Sequence, residues 1–215
     1  MMQEALEAEP RWTAYLAAFV IPLLQIALPA PLRPKFAWLL PVVAILLMIG
    51  TGITHRRKLA RFNEILGFSL ETALTFSTVV SLFNLVRALV YGTKGEVSGP
   101  DLLGSAALLW VANVLIFALW FWRLDAGGPN QRDARGHHRR GAFLFPQMQM
   151  SEEELGGVWR PGFVDYLFLA FNTSTAFSPT DAAPLDQGAK VAMMVQALIS
   201  LTIIALVAAR GVNIL

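Results

Sequence analysis

Seven side chains able to coordinate a small cation or hold a polar solute crowd one short stretch: Asn172, Thr173, Ser174, Thr175, Ser178, Thr180 and Asp181. Hydroxyl and amide oxygens with a single carboxylate form a hard, uncatalytic donor set. The chain has no cysteine, which removes thiolate metal sites, disulfides and thiol nucleophiles. No nucleophile–base pair, phosphate-cradling glycine loop or zinc-protease motif accompanies the hydroxyls, so no enzymatic activity is expected. Adjacent His137 and His138 do not share a helix face and have no acidic or thiol partner at ligand spacing, so neither a metal nor another cofactor is expected.

The polar cluster follows a run, 163–171, that is apolar except for Asp165. Asp165 comes just after Pro161 and Gly162, where a helix start needs an acceptor, and is assigned as the cap of a short helix. Three residues elsewhere could face the cluster. Glu71 is the ionisable residue set deepest in an apolar segment, and such a residue is by default a functional candidate because its charge is costly there. It shares a helix face with Thr75, Thr78 and Leu82. Gln196 and Ser200 share a face of the last apolar segment. For all these groups the competing reading is that Ser, Thr, Asn and Gln simply bond one helix to the next, as they do within membranes.

The elements that must carry these residues are membrane helices. Of the 215 residues, 55% are hydrophobic and 15% charged, with a mean hydropathy of +0.54; soluble domains carry roughly 45–50% and 25%. Apolar segments run over about 12–29, 36–53, 65–91, 101–122 and 187–212, each near the length a bilayer requires. The acidic amino-terminal stretch lacks the basic region of a signal peptide. Two loops are rich in basic residues. His55, Arg56, Arg57, Lys58 and Arg61 crowd the first, and Arg123, Arg132, Arg135, Arg139, Arg140 and Arg160 lie in or beside the second. The positive-inside rule puts both in the cytoplasm, with the amino terminus there and the carboxyl terminus outside. Arginine clusters of this kind contact anionic lipid headgroups, and nucleic acid is not an expected partner.

Residues 163–179 are too few and too polar at their centre to cross as a helix. A segment that enters, turns and leaves is expected, since irregular backbone at membrane depth survives where protein buries it or where it lines a watery cavity. In DYLFLAFNTSTAFSPTD, the Asp165, Phe171, Thr173, Thr175 and Asp181 pattern resembles the pore helix and filter approach of tetrameric cation channels. No glycine stands between Thr175 and Asp181, where a carbonyl filter relies on one, so the resemblance does not imply potassium selectivity. Over the last 75 or so residues the chain also resembles a family of uncharacterised bacterial multi-pass membrane proteins. The likeness rests on Phe145-Pro146, the run from Val164 to Phe171, Thr175, Asp181 and Val212-Asn213-Ile214. That second resemblance implies a bacterial inner-membrane location.

The expectation is an all-α, polytopic transmembrane helical bundle with about five spans and one re-entrant half-helix. It forms one membrane domain: a four-span scaffold over 1–122, an Arg-rich loop over 123–160, and the half-helix with the last span over 161–215. The leading functional expectation is a channel-like protein passing a small cation or solute by the 172–181 turn. A single such turn cannot enclose a pore, so the reading requires a homo-oligomer, a tetramer by analogy. The alternative is a membrane scaffold or partner-binding protein whose polar groups are structural.

Overall fold

A computed structural model of the chain describes residues 9–57, 59–92, 96–133, 141–175 and 182–212. Ser178, Thr180 and Asp181, and also His137 and His138, lie outside the described residues.

Helices dominate because the apolar segments must satisfy their own backbone. They are α1 Trp12–Ala27, α2 Leu40–Arg56, α3 Ala60–Tyr91, α4 Gly99–Leu124, the short α5 Pro129–Asp133 and α6 Glu152–Leu155, then α7 Phe163–Thr175 and α8 Gln187–Val212. Two-residue strands β1 Phe143–Leu144 and β2 Ala183–Pro184 pair antiparallel, Phe143 opposite Pro184. Helix α4 starts with a capping box: the Ser98 hydroxyl accepts from the Asp101 N–H at 3.2 Å, and Asp101 accepts from the Ser98 N–H.

Among the described residues, four helices are long and apolar enough to cross a membrane: α2 with the turn before it, α3, α4 with the turn after it, and α8. Helix α1, at 16 residues, is shorter than expected for a span and contains Pro22. Its chain nevertheless runs from Arg11, bound to Asn130 beyond the end of α4, to Leu32, whose carbonyl meets Asn84 late in α3. Five passes of chain therefore link the two ends of the bundle, four of them in helices of spanning length.

Helix α3 shows why the fold belongs in lipid. Its buried face carries Asn63, Glu71, Ser77, Thr78 and Ser81 at helical spacing, while Phe62, Ile65, Phe76, Val79 and Phe83 are exposed. A water-soluble helix has the opposite arrangement. Gln25 of α1 joins this inner face, donating to Thr78 at 2.6 Å and accepting from Ser77. The core itself forms around α4, which is flanked by α1, α3, α7 and α8 and buries Leu109, Ile116, Phe117 and Phe121.

One end of the bundle is polar. The starts of α1 and α3 and the end of α2 meet there through Asn130: Arg11 donates to its Oδ1 at 2.7 Å, His55 Nδ1 to the same oxygen at 2.9 Å, and its amide donates to Asn63 at 2.7 Å. The end of α4 and the start of α7 meet there through Asp125 and Tyr166. The chain before α8 joins the same end, because Leu185 bonds Ala142 and Ala142 bonds Asp125. Helices α7 and α8 thus both set out from the polar end. Residues 163–175 go part-way down the bundle, about 20 Å at 1.5 Å per residue, and by Ala183 the chain is back beside β1. Phe163 at the start of α7 and Ala183 thus lie toward the same end of the bundle.

The apolar run GAFLFPQMQM, too short to span, packs on the bundle. Phe143 and Phe145 are buried against Phe121 and Tyr166. The second basic loop begins later than expected, since Arg123 belongs to the last turn of α4 and is buried. It is drawn in by a buried acid on α3.

Candidate functional site

Polar groups gather beside α7 and again at the polar end of the bundle. Asp165, three residues after Gly162, accepts the Gly162 N–H at 2.8 Å and so satisfies a donor at the helix start. Further along, Thr173 and Thr175 turn their hydroxyls back onto the carbonyls of Leu169 and Asn172, at 2.9 and 3.0 Å. Asn172, Thr173 and Thr175 are half-buried. Thr175 borders an apolar cavity of about 330 Å³ shared with Trp110, Ile203 and Val207.

Ser174 is fully buried and belongs to a four-residue chain of bonds. Gln196 donates to the Ala170 carbonyl at 2.7 Å and to Ser174 Oγ at 2.8 Å, fastening α8 to α7. Asn113 of α4 donates to Ser200 Oγ at 2.8 Å and to the Gln196 carbonyl at 3.3 Å, fastening α8 to α4. The structure thus brings Ser174, Gln196 and Ser200 together and adds Asn113. Gln196 Oε1 is buried without a hydrogen-bond partner.

Glu71 does not join them. It is 1% exposed, and its Oε1 accepts from Arg123 Nε at 2.6 Å. The guanidinium is sandwiched by Phe68 and Trp122, each ring centre 5.7 Å from Cζ. Gly67 makes this possible: a Cβ there would lie 1.9 Å from Arg123 Cζ. One turn of α3 therefore supplies a slot at Gly67 and an acid at Glu71 for one arginine of α4.

Other polar groups close the polar end. Asp125, fully buried, accepts from the backbone of Ala142 at 2.6 Å and Phe143 at 3.2 Å, and from the Tyr166 hydroxyl at 2.6 Å. The chain leaves it through three consecutive residues at positive φ, Ala126, Gly127 and Gly128, the last two glycines for which that region is open. Gly141 is also required, since a Cβ there would meet Asp125 Oδ1 at 1.9 Å. Arg132 donates to the Trp122 and Asp125 carbonyls at 2.7 and 2.9 Å, covering the end of α4 with a positive charge that suits a helix C-terminus. Its other nitrogen meets Glu9 at 3.3 Å, and Glu9 also accepts from the Trp122 indole at 2.8 Å. Burial raises the Glu9 carboxyl above its ordinary range, outweighing Arg132 and the Trp122 bond.

Sequence reasoning passed over Glu9, Asp125, Arg132 and Tyr166 because their partners are more than a hundred residues away or across an irregular loop. A signal existed in Arg123, which follows an unbroken apolar run and needs an acid. Among the described residues, no group of three or more His, Asp or Glu side chains is placed to hold a metal ion.

No protein-family model, curated protein or solved structure matches the chain.

Proposed function

We propose that the protein is channel-like, several copies surrounding a pore lined by the last turn of α7, Asn172 to Thr175, and by the residues that follow it to Asp181. The observation that carries this reading is the course of α7. A helix of 13 residues leaves the polar end, stops part-way and is followed by a return to that end. Against a hydrocarbon core of about 30 Å, its hydroxyl-bearing C-terminus lies within the membrane. A helix C-terminus carries about half a negative charge, which favours a cation or a hydrogen-bond donor. Asn172, Thr173 and Thr175 are half-buried rather than sealed in the core. A homo-oligomer, tetrameric by analogy with pore-loop channels, supplies the remaining walls. The polar end faces the cytoplasm of a bacterial inner membrane and touches anionic lipid headgroups.

A second reading is favoured by one observation: Ser174, Gln196, Ser200 and Asn113 bond to one another. In that reading the protein is a membrane scaffold whose polar groups join helices. Flux into proteoliposomes separates the two. The pore reading expects permeation of a small cation or solute, reduced severalfold by Thr175→Ala and by Asp181→Ala. Absent flux, or flux unchanged in both variants, leaves the scaffold.

A further inference from the structure

The loop before α7 and the helix itself enclose a cavity of about 80 Å³, lined among others by Gln147, Asp165, Leu169, Asn172 and Ala182. That is room for a small ion with a few waters. We propose that this cavity binds a monovalent cation, held by the Asp165 carboxylate and the amide oxygen of Gln147, with water completing the shell and Asn172 lining the same space two turns further along α7.

Three observations converge on it. Positions 165, 169 and 172 follow the i, i+4, i+7 spacing of one helix face, so the acid at the start of α7 and the amide near its end open onto the same space. Gln147 Oε1 is buried with no hydrogen-bond partner, an acceptor waiting for a donor or a positive charge. Ala182, the first described residue after the turn, forms part of the wall, so the cavity lies between the descending and returning limbs. Asp165 also accepts the Gly162 N–H, which fixes its carboxylate beside the space.

The chemistry selects the ion. One carboxylate with neutral oxygens supplies a single negative charge. Calcium takes six to eight oxygens with several carboxylates, and magnesium keeps its own water shell. Sulfur and imidazole ligands for softer metals do not line the cavity. The positive end of α7 lies at Asp165 and is offset by that acid, while the negative end lies beyond Asn172, so the field along the cavity draws a cation inward. Its role as the pore's entrance rests on the pore-loop reading; the binding does not.

The test is a titration of purified full-length protein in detergent with sodium or potassium chloride, replacing choline chloride at constant ionic strength. The thermal midpoint should rise saturably with the small cation. Asp165→Asn, which keeps an oxygen for the Gly162 N–H, should abolish the rise, and Gln147→Leu, in the short 3-10 turn Pro146–Gln149, should weaken apparent affinity at least tenfold. Identical curves in choline, an unaltered response in Gln147→Leu, or calcium acting at lower concentration than sodium or potassium would overturn the assignment. Saturable binding without flux removes the pore reading and leaves the site. Flux that is unchanged in a non-binding Asp165→Asn protein overturns the site's role as an entrance.

Discussion

The polar end and the α7–α8 cluster solve the same problem with different chemistry. At the end of the bundle the groups are charged, and each charge is covered: Arg123 by Glu71, Arg132 by Glu9 and two carbonyls, Arg11 by Asp133 at 2.6 Å. Beside α7 and α8 the bonded groups are neutral amides and hydroxyls. Ionised groups become costlier with membrane depth, whereas a neutral donor and acceptor need only each other. The charged end therefore locks the chain's beginning, α4 and α7 together. The neutral cluster holds α7 against α8 while leaving its polar tip half-buried.

The largest test of this contrast is Arg123→Ala. It strands the Glu71 carboxylate, and breaking a buried pair from one side costs about 3–5 kcal/mol. Detergent-solubilised protein should lose most of its folded fraction. The double variant Glu71→Gln with Arg123→Gln should recover much of it, because no buried charge is left alone. Equal losses in the single and double variants would mean that packing at Gly67, not charge, holds the junction.

A smaller effect is expected at the neutral cluster. Gln196→Leu removes the donors to Ala170 and Ser174, and interhelical bonds of this kind contribute roughly 0.6–2 kcal/mol in membranes. Reversible unfolding in mixed micelles would measure it. A loss as large as that of Arg123→Ala would erase the distinction between the regions.

The smallest effect is a pH slope. Burial raises the Glu9 carboxyl, so folding favours its protonated form. The stability this contributes is present at and below the ordinary glutamate value of 4.5 and is lost as pH rises from there through the folded value. Thermal midpoints measured upward from pH 4.5 should fall slightly more in the wild type than in Glu9→Gln. Parallel curves would place Glu9 in water.

Much of the bundle was legible in the chain. The apolar segments at 36–53, 65–91, 101–122 and 187–212 lie within or overlap α2, α3, α4 and α8, because twenty apolar residues in lipid have little choice but helix. The brevity of the apolar run at 163–171 likewise matches the short α7, Phe163–Thr175. What could not be read was pairing between distant positions. Glu71 stood out as a costly charge, but nothing local named Arg123, fifty-two residues on, as its partner. The Asp125 site depends on Gly141 and on the positive φ of Ala126, which become meaningful only when Ala142 and Tyr166 arrive from elsewhere.

Whether the chain after α7 returns to the end it left is directly measurable, because the sequence has no cysteine. Glu153 precedes α7, Gln187 opens α8, and both are exposed; Tyr91, also exposed, ends α3 at the opposite end of the bundle. Single cysteines at the three positions, labelled in sealed vesicles with an impermeant maleimide, should place Glu153→Cys and Gln187→Cys on one side and Tyr91→Cys on the other. Labelling of Glu153→Cys and Gln187→Cys from opposite sides would mean that the chain crosses completely between them, and the half-helix, with the pore built on it, would be wrong.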